Sequence, residues 1–363
     1  MTGAPPSRQD DRSGSALRGW RHAVKDLLSV PLLAVAMVRY WRTGETPPYG
    51  HQSLIRLFCA TSGASSAILH RLVRAARPSR GMADAGGVLG ELSGAELARI
   101  ASIVSREGCY VFPQLASDEL CAELAALARR APCQVSPTSP AGDAQPATFD
   151  EQPDALVCRF DESTLASCSA VQSLVADESL LALARAYLRS EPVLSIVTMW
   201  WSRPGTQSIR DLDESAQRFH FDLDRVKWLK FFLYLTDVST ESGPHVFIAG
   251  SHRVGAKPRR LLKRGYERLD DDELASYFSP ADTRVITGPR GLMFVADTSG
   301  YHKGEPPRTG ERLVLQLEFS DCLFGASYVR VSDVVAGADL SEAAGQHRQL
   351  FERWSFATPE GQL

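Results

Sequence analysis

The sequence has no C-x-x-C pair, no internal repeat, no glycine-rich phosphate loop, no membrane-length apolar run and no excess of one charge. Each absence removes a class of answer. Seven cysteines, at 59, 109, 121, 133, 158, 168 and 322, are scattered through 363 residues without metal-ligand spacing. An odd, irregular set does not build a disulfide framework; it fits a reducing compartment, so a cytoplasmic protein is expected. The 40 basic and 43 acidic residues leave a formal charge of −3, which gives no electrostatic footprint for nucleic acid. An apolar stretch near the N-terminus, residues 27–38, is interrupted by Ser29 and Pro31. It is shorter than the ~20 residues a spanning helix needs. Arg39 and Arg42 follow it, where a secretory leader would carry a small-residue cleavage site. The stretch is read as a helix packed on the rest of the chain, with peripheral membrane contact through the N-terminal helices as the other reading.

What is present suits a folded protein. Apolar residues make up 44% of the chain and charged residues 23%, an ordinary balance for a buried core in one large domain with appendages. Residues 1–15 are small and polar and are expected to be a disordered tail. Residues 16–77 read as a helical N-terminal extension, with a first helix that Pro31 should kink or divide and a second over 52–75. Residues 78–92, rich in glycine and small side chains, read as a linker. Residues 93–335 form the main domain. Ser93 caps a helix to Glu107, a short strand begins at Cys109, and Ser117 opens another helix. Residues 131–154 lack periodicity and read as a long loop, and 193–203 as a strand ending in Trp200 and Trp201. Residues 336–363 are expected to hold a helix over 341–354 and a polar tail.

The chemistry is concentrated in residues 217–253, QRFHFDLDRVKWLKFFLYLTDVSTESGPHVFIAGSHR. Residues two apart on a strand share a face, so His220 and Asp222 can reach one point, which suggests a metal site. A third ligand must come from elsewhere, and His302, between the β-like runs 292–296 and 313–319, is the candidate. Two histidines and a carboxylate form the facial triad of non-haem iron oxygenases, although zinc accepts the same donors. Arg312 opens the following strand, where its guanidinium could clamp the distal carboxylate of 2-oxoglutarate. In that strand Arg312, Val314, Gln316 and Glu318 share one face, and four large apolar residues share the other.

These stretches, with YHKGEPPRTGERLVLQLEF after them, resemble the phytanoyl-CoA dioxygenase family of Fe(II)- and 2-oxoglutarate-dependent oxygenases over about residues 93–331. The resemblance implies a mainly β protein with flanking helices, built on a double-stranded β-helix or jelly-roll core of cupin type. It implies His220, Asp222 and His302 as iron ligands and Arg312 as the 2-oxoglutarate clamp, with Fe(II), 2-oxoglutarate and O2 as cofactor and co-substrates. Phe221, Gly304 and Phe232 depart from residues common in the family. The carboxylate at Asp222 argues against a halogenase, leaving hydroxylation of a C–H bond in a small organic substrate, with release of succinate and CO2.

Other residues receive secondary roles. Lys230 is expected to offer 2-oxoglutarate a second charge. Trp201 and His245 are expected at the substrate. The basic segment from Arg253 to Arg268 reads either as a rim attracting an anionic substrate or as a solvated face balanced by neighbouring acids. Two alternatives use the same donors: a zinc-dependent hydrolase, and a jelly-roll binding module that turns over nothing.

Overall fold

The computed structural model describes residues 10–81, 83–136, 147–206, 208, 212–213 and 216–357, with side chains from Lys25 onward. Three helices open the chain: α1 (Asp10–Thr43), α2 (Pro48–Thr61) and α3 (Ala64–Ala76). The tail expected over 1–15 falls outside the described residues for 1–9, and the chain is already helical from Asp10. Pro31 lies inside α1 without dividing it. The helix expected over 52–75 is instead two, because Ser62 and Gly63 both take positive φ and Gly63 cannot continue the turn. No described helix is long and apolar enough to cross a membrane. Leu27, Leu28, Val30, Val35 and Val38 of α1 are exposed, while Leu33, Ala36 and Tyr40 form its buried stripe.

Then come α4 (Gly94–Glu107), β1 (Cys109–Leu115), α5 (Asp118–Arg130), β2 (Gln134–Ser136) and β3 (Val157–Arg159). Ser93 and Ser117 cap α4 and α5 as expected, their side chains accepting from Glu96 N–H and Leu120 N–H. Short helices α6 (Glu162–Ala166) and α7 (Ser169–Val175) lead to α8 (Glu178–Leu188) and the long strand β4 (Val193–Ser202). The remaining strands are β5 (Trp228–Tyr234), β6 (His245–Ile248), β7 (Thr283–Ile286), β8 (Leu292–Ala296), β9 (His302–Gly304), β10 (Arg312–Ser320), β11 (Val331–Val334) and β12 (Trp354–Phe356).

Seven strands, ordered β1-β8-β5-β10-β4-β3-β2, form one antiparallel sheet, and β7-β6-β9 form a second. Together they make a jelly roll. The large sheet is amphipathic in the way the alternation of β10 requires. Leu313, Leu315, Leu317 and Phe319 point to an outer layer with Leu97 and Ile100 of α4 and Leu180 and Leu183 of α8. Each such side chain is worth about 1.5–3 kcal/mol when removed from water. The inner face of the sheet lines the cavity.

Two further expectations change. The segment 78–92 is packed rather than free: Leu89 and Leu92 are buried, Val88 N–H donates to Asp177 Oδ2 at 2.7 Å, and Leu89 N–H donates to Ser179 Oγ at 3.1 Å. Near the C-terminus the helix spans only Ala338–Gln346, and Trp354 instead starts β12, paired in parallel with β11. All seven cysteines are free.

Candidate metal centre and its cavity

His220 and Asp222 lie on the segment entering β5, which is held in place by the turn before β9. His220 N–H donates to His302 O at 3.0 Å, His302 N–H donates back to His220 O at 2.8 Å, and Asp222 N–H donates to Thr298 O at 2.8 Å. Trp228 Nε1 donates to Thr298 Oγ1 at 2.8 Å. The turn is itself pinned by the fully buried Asp297, which accepts from Ser299 N–H at 3.0 Å, Ser299 Oγ at 2.6 Å, Tyr187 and Lys227. Backbone bonds therefore bring together residues that are eighty positions apart in sequence.

The result is a cluster of three buried donors. One ligand atom from each of His220, Asp222 and His302 lies within 4.8 Å of the others. His220 Nε2 is 3.6 Å from Asp222 Oδ1, and His302 Nε2 is 3.6 Å from Asp222 Oδ2. Each imidazole Nδ1 faces a carbonyl, Arg218 O at 2.9 Å and Gly300 O at 3.0 Å. A carbonyl only accepts, so Nδ1 carries the proton and Nε2 presents its lone pair to the shared point. Burial pulls His220 down to about 4 and His302 down to about 3, so both rings are neutral. Burial alone would raise Asp222, but the Lys230 charge, then His302 and His220, hold its carboxyl well below the usual range. Two neutral imidazoles and an ionised carboxylate are the donor set an open iron or zinc site takes, so these residues fit a divalent metal.

Behind the triad lies a cavity of about 340 Å³ walled by the inner face of the large sheet. Arg312 is buried there, its Nη1 donating to Glu305 O at 3.4 Å and Nη2 to Ser202 Oγ at 3.3 Å, while Nε has no partner. A buried, orphaned guanidinium N–H on a cavity wall fits a carboxylate ligand. Gly304 lies beside it: a Cβ there would be 3.3 Å from Nη2, so the missing side chain leaves Arg312 its room.

The other expected site residues divide. His245 lines the cavity in β6, its ring centroid 5.5 Å from that of His302, with Nε2 buried and unpartnered. Burial, with His302 and Arg312 nearby, holds it well below its ordinary value. Lys230 also lines the cavity, but its ammonium lies 2.7 Å from Asp222 Oδ2, 3.4 Å from Glu318 Oε2 and 3.7 Å from Asp224 Oδ2. Its charge is engaged by three carboxylates rather than held for a keto acid. Trp201 is a correction. It points out of the cavity, stacks on Phe149 at 4.8 Å and donates from Nε1 to Ala128 O at 3.1 Å. Register explains this: Arg312, Val314 and Gln316 pair with Ser202, Trp200 and Thr198, so the even-numbered residues of β4 face inward.

The basic segment does not reach the cavity wall. Its Leu261 and Leu262, with Leu269 just after it, pack with Phe219, Phe221 and Tyr301, Arg264 pairs with Glu267 and Glu273, and Lys257 is buried with its Nζ on Ser251 O at 2.7 Å. Sequence reasoning missed Arg159, Thr198 and Trp200, which line the cavity. The inward set of β10 already carried the signal, since pairing β4 against it with the right parity yields Thr198 and Trp200.

Residues 104–312 match the sequence model of the phytanoyl-CoA dioxygenase family, more than half of the chain. No curated protein gives a match. Among solved structures, the chain is similar to the non-haem α-ketoglutarate-dependent epimerase SnoN from nogalamycin biosynthesis, at 19% identity over 62% of this chain and 84% of that one, with a TM-score of 0.45. It is similar to HygX from Streptomyces hygroscopicus, solved with nickel and 2-oxoglutarate, at 19% identity over 67% and 92%, TM-score 0.43. EctD from S. alaskensis with bound Fe gives 19% identity over 67% and 86%, TM-score 0.43.

Proposed function

Because the chain belongs to the phytanoyl-CoA dioxygenase family of iron- and 2-oxoglutarate-dependent oxygenases, we propose that it hydroxylates a C–H bond of a small organic substrate. In this reading His220, Asp222 and His302 hold Fe(II), and Arg312 holds the far carboxylate of 2-oxoglutarate. The observation that carries it is the pairing of one three-donor cluster with an unpartnered guanidinium N–H in one cavity. When bound, iron and the keto acid supply oxidative decarboxylation, with succinate and CO2 as products, and the oxidising power to remove a hydrogen from carbon.

The chain's own residues do the rest. The carbonyls of Arg218 and Gly300 hold each imidazole in the tautomer that frees Nε2. Lys230 keeps Asp222 ionised, and Glu318 and Asp224 keep the Lys230 charge balanced within the cavity. Phe232 and Phe294, stacked at 4.7 Å with His245 against both rings, close one wall in apolar surface and exclude water from the reacting end.

The test is an anaerobic addition of Fe(II) and 2-oxoglutarate to the purified protein. The weak visible charge-transfer absorption of a chelated keto acid is expected, and His302→Ala should abolish it. On admitting oxygen with substrate, succinate should appear together with a product one oxygen atom heavier. A wild-type protein that binds zinc but develops no such absorption would overturn the reading.

A further inference from the structure

With the keto acid assigned to Arg312, a second cation of the cavity has no counter-charge among the described residues. Arg159, on β3, lines the same cavity and sits over the Trp200 ring, its guanidinium carbon 5.6 Å from the ring centroid. Among the described residues its side chain has no hydrogen bond and no ion pair. Burial pulls its guanidinium down, with no acid opposing that pull. Lys230, by contrast, has three carboxylates around it. Among the described residues that line the cavity, Arg312 and Arg159 are the cations with no ion pair.

The sheet separates the two. Arg159 pairs with Trp200, and Trp200 pairs with Val314, the residue two beyond Arg312. Neighbouring strands lie ~4.8 Å apart, which places the backbone of Arg159 roughly 10 Å across the sheet from β10. Trp200, Val314 and Ser202 lie between them, Thr198 and Gln316 lie one step further along the inward face on the side away from Arg312, and among the described residues neither of that last pair has a side-chain hydrogen bond. Arg159 is half-buried, so its guanidinium is partly shielded from water and gains more from an anion placed there than a fully exposed cation would. Guanidinium geometry matches a carboxylate or phosphate with two parallel N–H donors.

We propose that Arg159 is the anion-recognition residue for substrate, so that this enzyme acts on a small molecule bearing a carboxylate or phosphate. The anion docks on Arg159, the adjoining part lies on the Trp200 face, and Thr198 and Gln316 hydrogen-bond polar atoms further along that face. The charge is supplied from inside the barrel and not by the basic segment 253–268. The proposal rests on the oxygenase reading of the cavity, and its experiment is built to separate the two.

Phenylacetate and phenyl phosphate are titrated into the anaerobic Fe(II) and 2-oxoglutarate complex, with phenylacetamide as the neutral isostere, and the shift of the visible band is followed. Wild type should prefer one or both anions over the amide by about tenfold or more, the worth of a charge-assisted pair. Arg159→Gln should bring the preference down to near unity while still forming the chromophore with little change in 2-oxoglutarate affinity. An anion preference kept by Arg159→Gln overturns the proposal. So does loss of 2-oxoglutarate binding in that variant, which would give the guanidinium to the keto acid. A second measurement needs no iron. Phenylacetate or phenyl phosphate should raise the melting temperature of metal-free wild type but not of Arg159→Gln, and ligand-free Arg159→Met should melt no lower than wild type. A marked drop in Arg159→Met would make Arg159 a structural residue. Absence of the chromophore in wild type would sink the oxygenase reading alone, leaving the melting experiment to decide Arg159.

Discussion

At the scale of single residues, the three donors and Arg312 were legible from sequence because their chemistry is sparse: few side chains bind a metal, and their spacing is fixed by strand geometry. Arg159 was not legible, because what distinguishes it is the absence of a partner, and a sequence does not show which of many arginines lacks an acid. Lys230 was visible as a second charge for 2-oxoglutarate, but its three carboxylate neighbours come from β10 and the entry to β5, so its engagement depends on register. Arg312→Ala is expected to weaken 2-oxoglutarate by about 1.5–3 kcal/mol, roughly ten- to a hundredfold in Kd, because charge-assisted bonds are lost and the metal chelate stays. Titration of the anaerobic visible band measures it, and unchanged affinity would remove Arg312 from the role. Asp297 gives the pH-dependent case. Burial would raise its carboxyl, but Lys227, then His252 and the hydrogen bonds from Lys227 and Ser299, hold it well below the usual range. A depressed carboxylate contributes stability that is complete above the unfolded value near 4 and is lost as pH falls through the folded one. Asp297→Asn should therefore cost about 3–5 kcal/mol at neutral pH and flatten the loss of stability in acid. Urea midpoints between pH 3 and pH 7 would show both.

At the scale of elements, the amphipathic strand β10 was readable because four large apolar residues alternate with polar ones. Strand β4 was harder. Both of its faces carry large side chains, with Val197, Met199 and Trp201 outward and Ile196, Thr198 and Trp200 inward, so parity had to come from its partner. The neighbouring tryptophans turn that difference into an experiment. Trp201 is fully packed between Phe149 and the Arg129 guanidinium and bonds the end of α5. Trp201→Ala should lose about 3–5 kcal/mol of folding stability, with little change in turnover per folded molecule. Trp200→Ala, which empties cavity wall instead of core, should fold nearly as well and lose substrate-dependent succinate release. Calorimetry alongside a succinate assay separates the two, and the reverse assignment would mean that the register of β4 against β10 is shifted by one. The break between α2 and α3 and the shortened C-terminal helix were missed for a local reason: both depend on backbone conformation and long-range pairing, which weak helical periodicity hides.

At the scale of the whole molecule, the N-terminal helices look detachable in sequence and are not so in three dimensions. Leu33, Ala36 and Tyr40 of α1, Leu54 and Leu57 of α2 and Val73 of α3 share a core with Val193, Val226, Cys322, Leu323 and Phe324 at the ends of the barrel strands. Tyr40 OH accepts from Leu323 N–H at 2.9 Å, His51 Nε2 donates to Leu223 O at 3.0 Å, and His70 Nδ1 meets Asp321 Oδ2 at 2.8 Å. The layer also reaches the candidate metal centre from behind. Phe58 of α2 stacks on Phe221, centroids 5.7 Å apart, and Phe221 is the residue between His220 and Asp222. The helices thus close the barrel end and brace the segment carrying two of the three donors. A chain begun at Pro78 would expose that shared core and leave Phe221 uncovered. It is expected to be poorly soluble or to unfold at much lower urea than the full chain. Phe58→Ala is the finer test: about 3–5 kcal/mol lower stability from the emptied core position, with weaker Fe(II) binding because the 220–222 segment loses its backing. If the shortened chain folds with unchanged stability and Phe58→Ala binds iron like wild type, the N-terminal layer is an appendage after all. Weaker iron binding with the three donors untouched would show that the barrel alone does not hold them in position.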